Sequence, residues 1–166
     1  MPRHASAALS PQLVERLSQR DLRKQLGVVL PFVTVDAEGL PHPMLLSYLE
    51  VRAYDSGTLG LVIQRRSGSA RNLVQRGVGT LLVVEPDITV YVKTRLVDGP
   101  QDVPGGEEFG LGYFLLGVEN VLEDAPTDWE AGMGITVATQ YRPIPTLDER
   151  WARATLDTLA SPRARG

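Results

Sequence analysis

The chain has no cysteine and very little histidine. Without cysteine it can form no disulfide, and it offers neither a thiolate metal ligand nor a thiol nucleophile. The two histidines are His4 and His42, and His4 lies in a small-residue N-terminal segment that we expect to fray. A multi-histidine metal site or a histidine relay is therefore not expected, and no metal site is predicted.

Long apolar runs and a strong excess of one charge are also missing. No stretch reaches the roughly 18 apolar residues that a membrane helix needs, and residues 1–10 lack the apolar core of a signal peptide. The formal net charge is −3, which argues against broad nucleic-acid binding. We therefore expect a cytoplasmic protein that binds neither membranes nor nucleic acids.

The length and the residue pattern predict one mainly β domain over residues 1–166, with residues 1–9 and 161–166 flexible. Ser10 and Pro11 predict a first helix that ends at Gly27, and Thr146-Leu147-Asp148-Glu149 has the spacing of a capping box in front of a C-terminal helix. Strands joined by short turns favour a barrel or rolled sheet over a doubly wound fold. We predict strands at residues 28–35, 40–51, 58–63, 78–84, 88–97, 108–122 and 135–141, a short helix at 67–76, a loop at 98–107 and an acidic linker at 123–132.

One segment combines the features of a phosphate site. The string Gln64-Arg65-Arg66-Ser67-Gly68-Ser69-Ala70-Arg71-Asn72-Leu73 leaves a predicted strand and enters a predicted helix. Free N–H groups and the positive end of the helix dipole attract anions, and serine hydroxyls and guanidinium groups suit phosphate oxygens. Local chemistry alone also fits a solvated basic turn in which Ser67 or Ser69 only caps the helix.

The order of elements from about residue 26 to residue 97 resembles the FMN-binding split-barrel family typified by pyridoxamine 5′-phosphate oxidase. Family members have a turn like Asp36-Ala37-Glu38-Gly39, a proline-containing second strand like Leu40-Pro41-His42-Pro43-Met44-Leu45-Leu46, and a strand like Thr80-Leu81-Leu82-Val83-Val84. Between the last two they have a serine-rich turn and a helix, which this chain supplies with Ser67, Ala70, Asn72 and Leu73 in that order. The resemblance implies a six- to seven-stranded antiparallel split β-barrel with N-terminal and C-terminal helices.

The resemblance also implies FMN at a homodimer interface, with its phosphate at the serine-rich turn and its ring against the second and third strands. Gly68 and Ser69 stand where many relatives have a basic pair, so an arginine must meet the phosphate charge. Alternation along a strand allows only one of Arg65 and Arg66 to lie on the flavin side, whereas Arg71 can reach back to the first helical turn. The implied residues are Leu45, Leu46 and Ser47 near the ring, Ile63 and Gln64 along its edge, and Arg65, Arg66, Ser67, Ser69, Arg71 and Asn72 around the phosphate.

The C-terminus departs from the oxidase itself, because it lacks the basic, proline-containing substrate motif of a final strand. The oxidation of pyridoxamine phosphate is therefore not predicted. The resemblance implies a flavin-dependent oxidoreductase acting on a small molecule, in which no side chain has to act as an acid or a base. No catalytic residue is assigned, and His42, which lies between two prolines without a Gly-x-Ser-x-Gly motif nearby, is not expected to serve a nucleophile.

The homodimer has a second basis in the sequence. Phe109, Leu111, Tyr113 and Leu115 alternate along one strand, and we expect a single small sheet to leave this apolar face uncovered and available to a second copy.

Several alternatives remain open. Relatives of the fold bind a deazaflavin or haem, although haem would depend on His42 as its axial ligand. The chain could also be a barrel that binds an oligonucleotide, which its aromatic content of 6% disfavours. A barrel that has lost its cofactor and serves as an interaction or stress-response module is the remaining alternative.

Overall fold

A computed structural model describes residues 2–163, with the side chains described from Ala5 onward. One curled antiparallel sheet dominates it, in the strand order β3-β2-β6-β7-β8-β5-β4. Strand β1 pairs with the last residues of β8, beyond the part of β8 that pairs with β5. The strands are β1 (Pro2–Ser6), β2 (Val29–Val35), β3 (Pro41–Ser47), β4 (Val51–Ala53), β5 (Thr58–Gln64), β6 (Val78–Glu85), β7 (Ile88–Asp102) and β8 (Leu111–Asp124). The helices are α1 (Pro11–Arg16), α2 (Leu22–Gln25), α3 (Gly68–Arg76) and α4 (Arg150–Leu159), with single 3₁₀ turns at Glu107–Phe109 and Asp128–Glu130.

The sheet curls into a half-barrel, which confirms the predicted mainly β split-barrel architecture. Inward-facing residues such as Leu30, Phe32, Leu81 and Val92 are almost fully buried in one core. Helix α3 covers the β2, β3, β6 and β7 side of the sheet, and α4 packs against β5. Among residues 2–163, no helix is both long and apolar enough to cross a membrane.

The central elements follow the sequence closely. The turn at residues 36–39 joins β2 to β3 in register, with Gly39 at a φ of 83°. Ser67 caps α3 by accepting a hydrogen bond from the Ala70 N–H at 3.1 Å, and Gly77 ends the helix in the left-handed conformation. The sequence predicts the helix end at Gly77 and offers Ser67 or Ser69 as the cap, and the structure uses Ser67.

The prediction of a single N-terminal helix is wrong, because this segment forms two short helices, α1 and α2. Gln19 lies between them at a φ of 66°, a conformation that interrupts a right-handed helix. Its side-chain amide donates to the carbonyl groups of Tyr48, Leu49 and Val51 at 3.0–3.2 Å. These hydrogen bonds attach the segment between α1 and α2 to the connection between β3 and β4.

Three further boundaries are corrected. The segment 135–141 is not a strand: it makes one isolated bridge, Val28 to Gln140, and Val137 remains 71% exposed. The first half of the predicted loop at 98–107 is strand, because β7 continues to Asp102 with irregular pairing against β8. The predicted strand at 108–122 begins only at Leu111, after a 3₁₀ turn.

The two ends of the chain also differ from the expectation. Pro2–Ser6 pairs with β8, a strand that the sequence did not predict. At the other end, Thr146 does not cap the C-terminal helix, which begins four residues later at Arg150. The flexibility expected for residues 1–9 and 161–166 stays a prediction, and Met1 and residues 164–166 lie outside the described residues.

Candidate functional site

The first turn of α3 has donors without acceptors. The N–H groups of Gly68 and Ser69 bond to no acceptor within residues 2–163, as expected at a helix start. The Ser69 hydroxyl is buried and has no hydrogen-bond partner in the same part of the chain. Buried polar groups are rarely left unpaired, so this hydroxyl suggests a ligand or a water at the turn.

The imidazole of His42 packs directly against this turn. A Cβ added to Gly68 would lie 2.7 Å from His42 Nε2, so only glycine leaves room for the ring. His42 is not among the residues that the sequence predicts for this site. Its position follows from β3, where His42 faces inward towards α3 while the neighbouring Pro41 and Pro43 face outward.

Two of the three predicted arginines lie at the turn without an acidic partner among residues 2–163. Arg66 and Arg71 are exposed and form no ion pair within residues 2–163. The Arg71 guanidinium reaches back to the Arg66 carbonyl, with a long donor–acceptor distance of 3.4 Å. This is the backward reach that helix geometry predicts for Arg71. We call the first turn of α3 with His42, Arg66 and Arg71 the α3 cradle.

Arg65 has a different place. Its Nε donates to the Leu111 carbonyl at 3.1 Å, and its Nη2 pairs with Asp102 at 2.5 Å. Its stem lies over Gly112, where an added Cβ would come within 2.6 Å of Arg65 Cγ. Arg65 is therefore held against the start of β8 and the end of β7, and the structure does not bring it into the α3 cradle.

Asn72 and Thr34 tie the cradle to the sheet. The buried Asn72 amide donates to the Thr34 hydroxyl at 3.0 Å, and that hydroxyl donates to the His42 carbonyl at 3.2 Å. This chain of bonds joins α3, β2 and β3 next to the imidazole. Asn72 is thus engaged with the protein and holds the cradle in shape.

The residues expected near the ring are split by the alternation of β3. Leu45 is 57% exposed on the outer face, whereas the Leu46 side chain is fully buried in the core. Ser47 is buried, and both its N–H and its hydroxyl donate to Glu50 Oε2, at 2.7 and 3.0 Å. Only Leu45 of the three offers its side chain to a ligand.

The other two expected ring residues line a pocket of about 320 Å³. It lies between the connection of β3 to β4, the end of β5, the start of β8 and the start of α4. We call it the Glu50 pocket, and its lining residues are Glu50, Ile63, Gln64, Phe109, Leu111 and Trp151.

Glu50 is the acidic residue of this pocket. Burial raises the pKa of its carboxyl group above the ordinary value, although the two hydrogen bonds from Ser47 act in the opposite direction. Burial, together with the charge of Glu50, also raises the pKa of the Tyr141 phenol. Glu50 and Trp151 were not predicted as site residues, because their proximity depends on contacts between distant segments.

The apolar face that was expected to remain open is covered within the chain. Tyr113 is fully buried, and Leu111 and Leu115 are half-buried beside it. They pack in a second core cluster with Ala154 and Leu159 of α4. This strand face therefore gives no support to a dimer, and the homodimer stays a prediction.

The comparisons with known proteins establish the fold. A protein assigned as a pyridoxamine 5′-phosphate oxidase from Lactobacillus delbrueckii superposes with a TM-score of 0.53 at 16% identity, over 70% of this chain and 94% of that one. An FMN-binding protein from Syntrophomonas wolfei gives a TM-score of 0.52 at 13% identity, over 70% and 91%. The Group A Streptococcus protein HupZ gives 0.52 at 12% identity, over 80% and 100%.

The chain therefore has the split-barrel fold of the pyridoxamine 5′-phosphate oxidase-like and FMN-binding proteins, which confirms the resemblance seen in the sequence. No family model and no curated protein matches its sequence.

Proposed function

We propose that the protein binds FMN and acts as a flavin-dependent oxidoreductase on a small molecule. The α3 cradle carries this proposal. It supplies two N–H groups, a serine hydroxyl and two arginines to a fold whose neighbours include an FMN-binding protein, and within residues 2–163 the N–H groups and the hydroxyl have no acceptor or donor partner and the arginines have no counter-ion. A phosphate group matches this set, because it offers several oxygen acceptors and negative charge.

Different residues of the chain would bind the phosphate and the ring of FMN. The backbone of Gly68 and Ser69 would bind phosphate oxygens, Arg66 and Arg71 would neutralise the charge, and His42 would flank the group. Leu45 and two residues of the Glu50 pocket, Ile63 and Gln64, are among the residues that the resemblance implies near the ring. When bound, the flavin supplies the redox chemistry, and the protein contributes binding, orientation and access.

Titration with FMN and riboflavin tests the phosphate site. Charge-assisted hydrogen bonds contribute roughly 1.5–3 kcal/mol each, so FMN should bind at least about tenfold more tightly than riboflavin. A flavin that binds equally well with and without its phosphate would show that the α3 cradle is not the phosphate site. Binding of a deazaflavin cofactor in place of FMN would change the cofactor assignment and keep the site.

The adjacent arginines provide a matched control. Arg66→Ala and Arg71→Ala should each weaken FMN binding about tenfold or more, since each removes an unpaired charge from the cradle. Arg65→Ala removes the same charge one residue away, but from a side chain bound to Asp102 and Leu111, and should leave FMN affinity nearly unchanged. Equal effects of all three substitutions would contradict the assignment.

We also propose that the protein works as a homodimer with FMN near the interface. The edge strand β3 supports this arrangement, because it presents the exposed Leu45 beside the expected ring position, and an exposed edge is a natural pairing surface. Sedimentation of the FMN-loaded protein at micromolar concentration should give a dimer. A flavin-loaded monomer would overturn the dimer while leaving FMN binding intact.

A further inference from the structure

Only one of the two carboxylate oxygens of Glu50 accepts hydrogen bonds within residues 2–163. Oε2 accepts both hydrogen bonds from Ser47, whereas Oε1 accepts none from residues 2–163. Glu50 lines a pocket whose other walls are mostly apolar or aromatic. Glu50 as a whole is half-buried, and its free carboxylate oxygen is available to a hydrogen-bond donor of a ligand.

The remaining walls favour a flat ring. Trp151 and Phe109 contribute aromatic surface, and Ile63 and Leu111 contribute aliphatic surface. Gln64 adds one amide, which can donate to a carbonyl group. The pocket therefore combines surfaces for stacking with an acceptor and an amide donor, and its volume of about 320 Å³ lies in the range of small-molecule sites.

We propose that the Glu50 pocket binds the pyrimidine edge of the flavin ring, with Glu50 Oε1 accepting the hydrogen bond of the ring N3–H. This inference rests on the proposed function and adds a specific contact to it. The pyrimidine edge presents a donor flanked by two carbonyl acceptors, which complements a carboxylate next to a side-chain amide. Trp151 and Phe109 then contact the ring itself.

The position of the pocket along the chain agrees with the α3 cradle. The Ser67 N–H donates to the Gln64 carbonyl at 3.1 Å, so one tight turn joins a wall of the pocket to the start of α3. A ligand with an anionic group at one end and a flat ring at the other would contact both sides of that turn.

The test compares FMN with its N3-methyl analogue, which keeps the phosphate and the ring but lacks the N3–H. Equilibrium titration of the full chain, followed by flavin fluorescence, should show the analogue binding about tenfold more weakly, because it leaves the Glu50 carboxylate unpaired. In Glu50→Ala, which removes the acceptor and makes room for the methyl group, the two flavins should bind alike.

Glu108→Ala is the matched control. Glu108 is a neighbouring acid outside the pocket lining, paired with Arg150 at 2.8 Å, and its removal should preserve the tenfold discrimination. Glu50→Gln keeps an oxygen for Ser47 and should show reduced discrimination, which provides a second readout if the alanine variant does not fold.

The outcomes separate the two proposals. A wild-type protein that binds FMN and its N3-methyl analogue equally well retains the proposed function and overturns the role of Glu50. Discrimination that persists unchanged in a folded Glu50→Ala variant also overturns it, because the methyl group is then excluded by another residue. A wild-type protein that binds no flavin overturns the proposed function and this inference together.

Discussion

Arginines at two places in the molecule have opposite surroundings. Arg16, at the end of α1, pairs with Glu85 at 2.9 Å and with Asp87, while Tyr48 donates to the other oxygen of Glu85. Burial would lower the pKa of the Arg16 guanidinium, but the charge of Glu85 and its neighbours raises it. This cluster connects α1, the β3–β4 connection and the β6–β7 turn, and its charges are compensated within the fold.

The α3 cradle has no such compensation. Arg66 and Arg71 face solvent, and no carboxylate within residues 2–163 pairs with either of them. Arg65, one residue before Arg66, is bound to Asp102. The comparison shows that the number of arginines is a poor guide to a ligand site in a chain with 17 basic residues. The absence of a partner, together with unpaired donors nearby, is the more useful sign.

The largest expected effect on stability comes from removing Arg16, whose charge is paired within the fold. Arg16→Ala should reduce the free energy of unfolding by about 3 kcal/mol, because it leaves Glu85 partly buried without its cation. Arg20→Ala, which removes an exposed arginine paired with Glu15, should cost less than about 1 kcal/mol. Urea unfolding of the two variants measures the difference, and similar costs would show that the Arg16 cluster is not structurally important.

A second substitution tests the packing of the cradle. Gly68→Ala should cost about 1–3 kcal/mol, because the new methyl group would meet the His42 ring at 2.7 Å. The double variant Gly68→Ala with His42→Ala should recover most of this loss by removing the ring. Thermal or urea unfolding of the single and double variants provides the measurement, and additive effects would contradict the contact.

Glu50 extends the comparison to an acid that forms no ion pair in the part of the chain that the structure describes. Burial raises its pKa in the folded state, so its contribution to stability is present at low pH and is lost as the pH rises through the folded-state pKa. Glu50→Gln, which cannot ionise, should therefore become more stable relative to the wild type between about pH 4 and pH 7. Urea unfolding at both pH values checks the sign, and a constant difference would contradict the raised pKa.

The smallest effect is expected for the uncompensated arginines. Arg66→Ala and Arg71→Ala should each change the free energy of unfolding by no more than about 0.5 kcal/mol, as is usual for exposed side chains without strong interactions. A loss as large as that of Arg16→Ala would mean that these guanidinium groups stabilise the fold, and the contrast between the two regions would disappear.

Local signals predicted the parts of the site that are formed by neighbouring residues. The cap at Ser67, the end of α3 at Gly77 and the backward reach of Arg71 all depend on spacings of a few residues, which the sequence displays directly. The same holds for the hairpin that begins at Asp36. These elements are enough to place a cationic turn at the start of a helix.

The missed parts depend on distant contacts. Gln19 breaks the first helix because three carbonyl groups about thirty residues away accept its amide hydrogens. Trp151 joins Glu50 in one pocket only because α4 packs back onto β5. In the segment 135–141 the alternation suggests a strand, but tertiary pairing provides only one bridge, so the local preference is not realised.

Strand β8 pairs with β7 along one side and with both β5 and β1 along the other. Its pairing with β5 brings Thr58 next to Gly117, and its pairing with β1 brings Ser6 next to Val121. Both require large loops to close before any hydrogen bond forms, whereas β6 and β7 are joined by a two-residue turn. Folding is therefore expected to be slow for a chain of this length, with the β6–β7 hairpin and α3 forming early and β8 completing the sheet late.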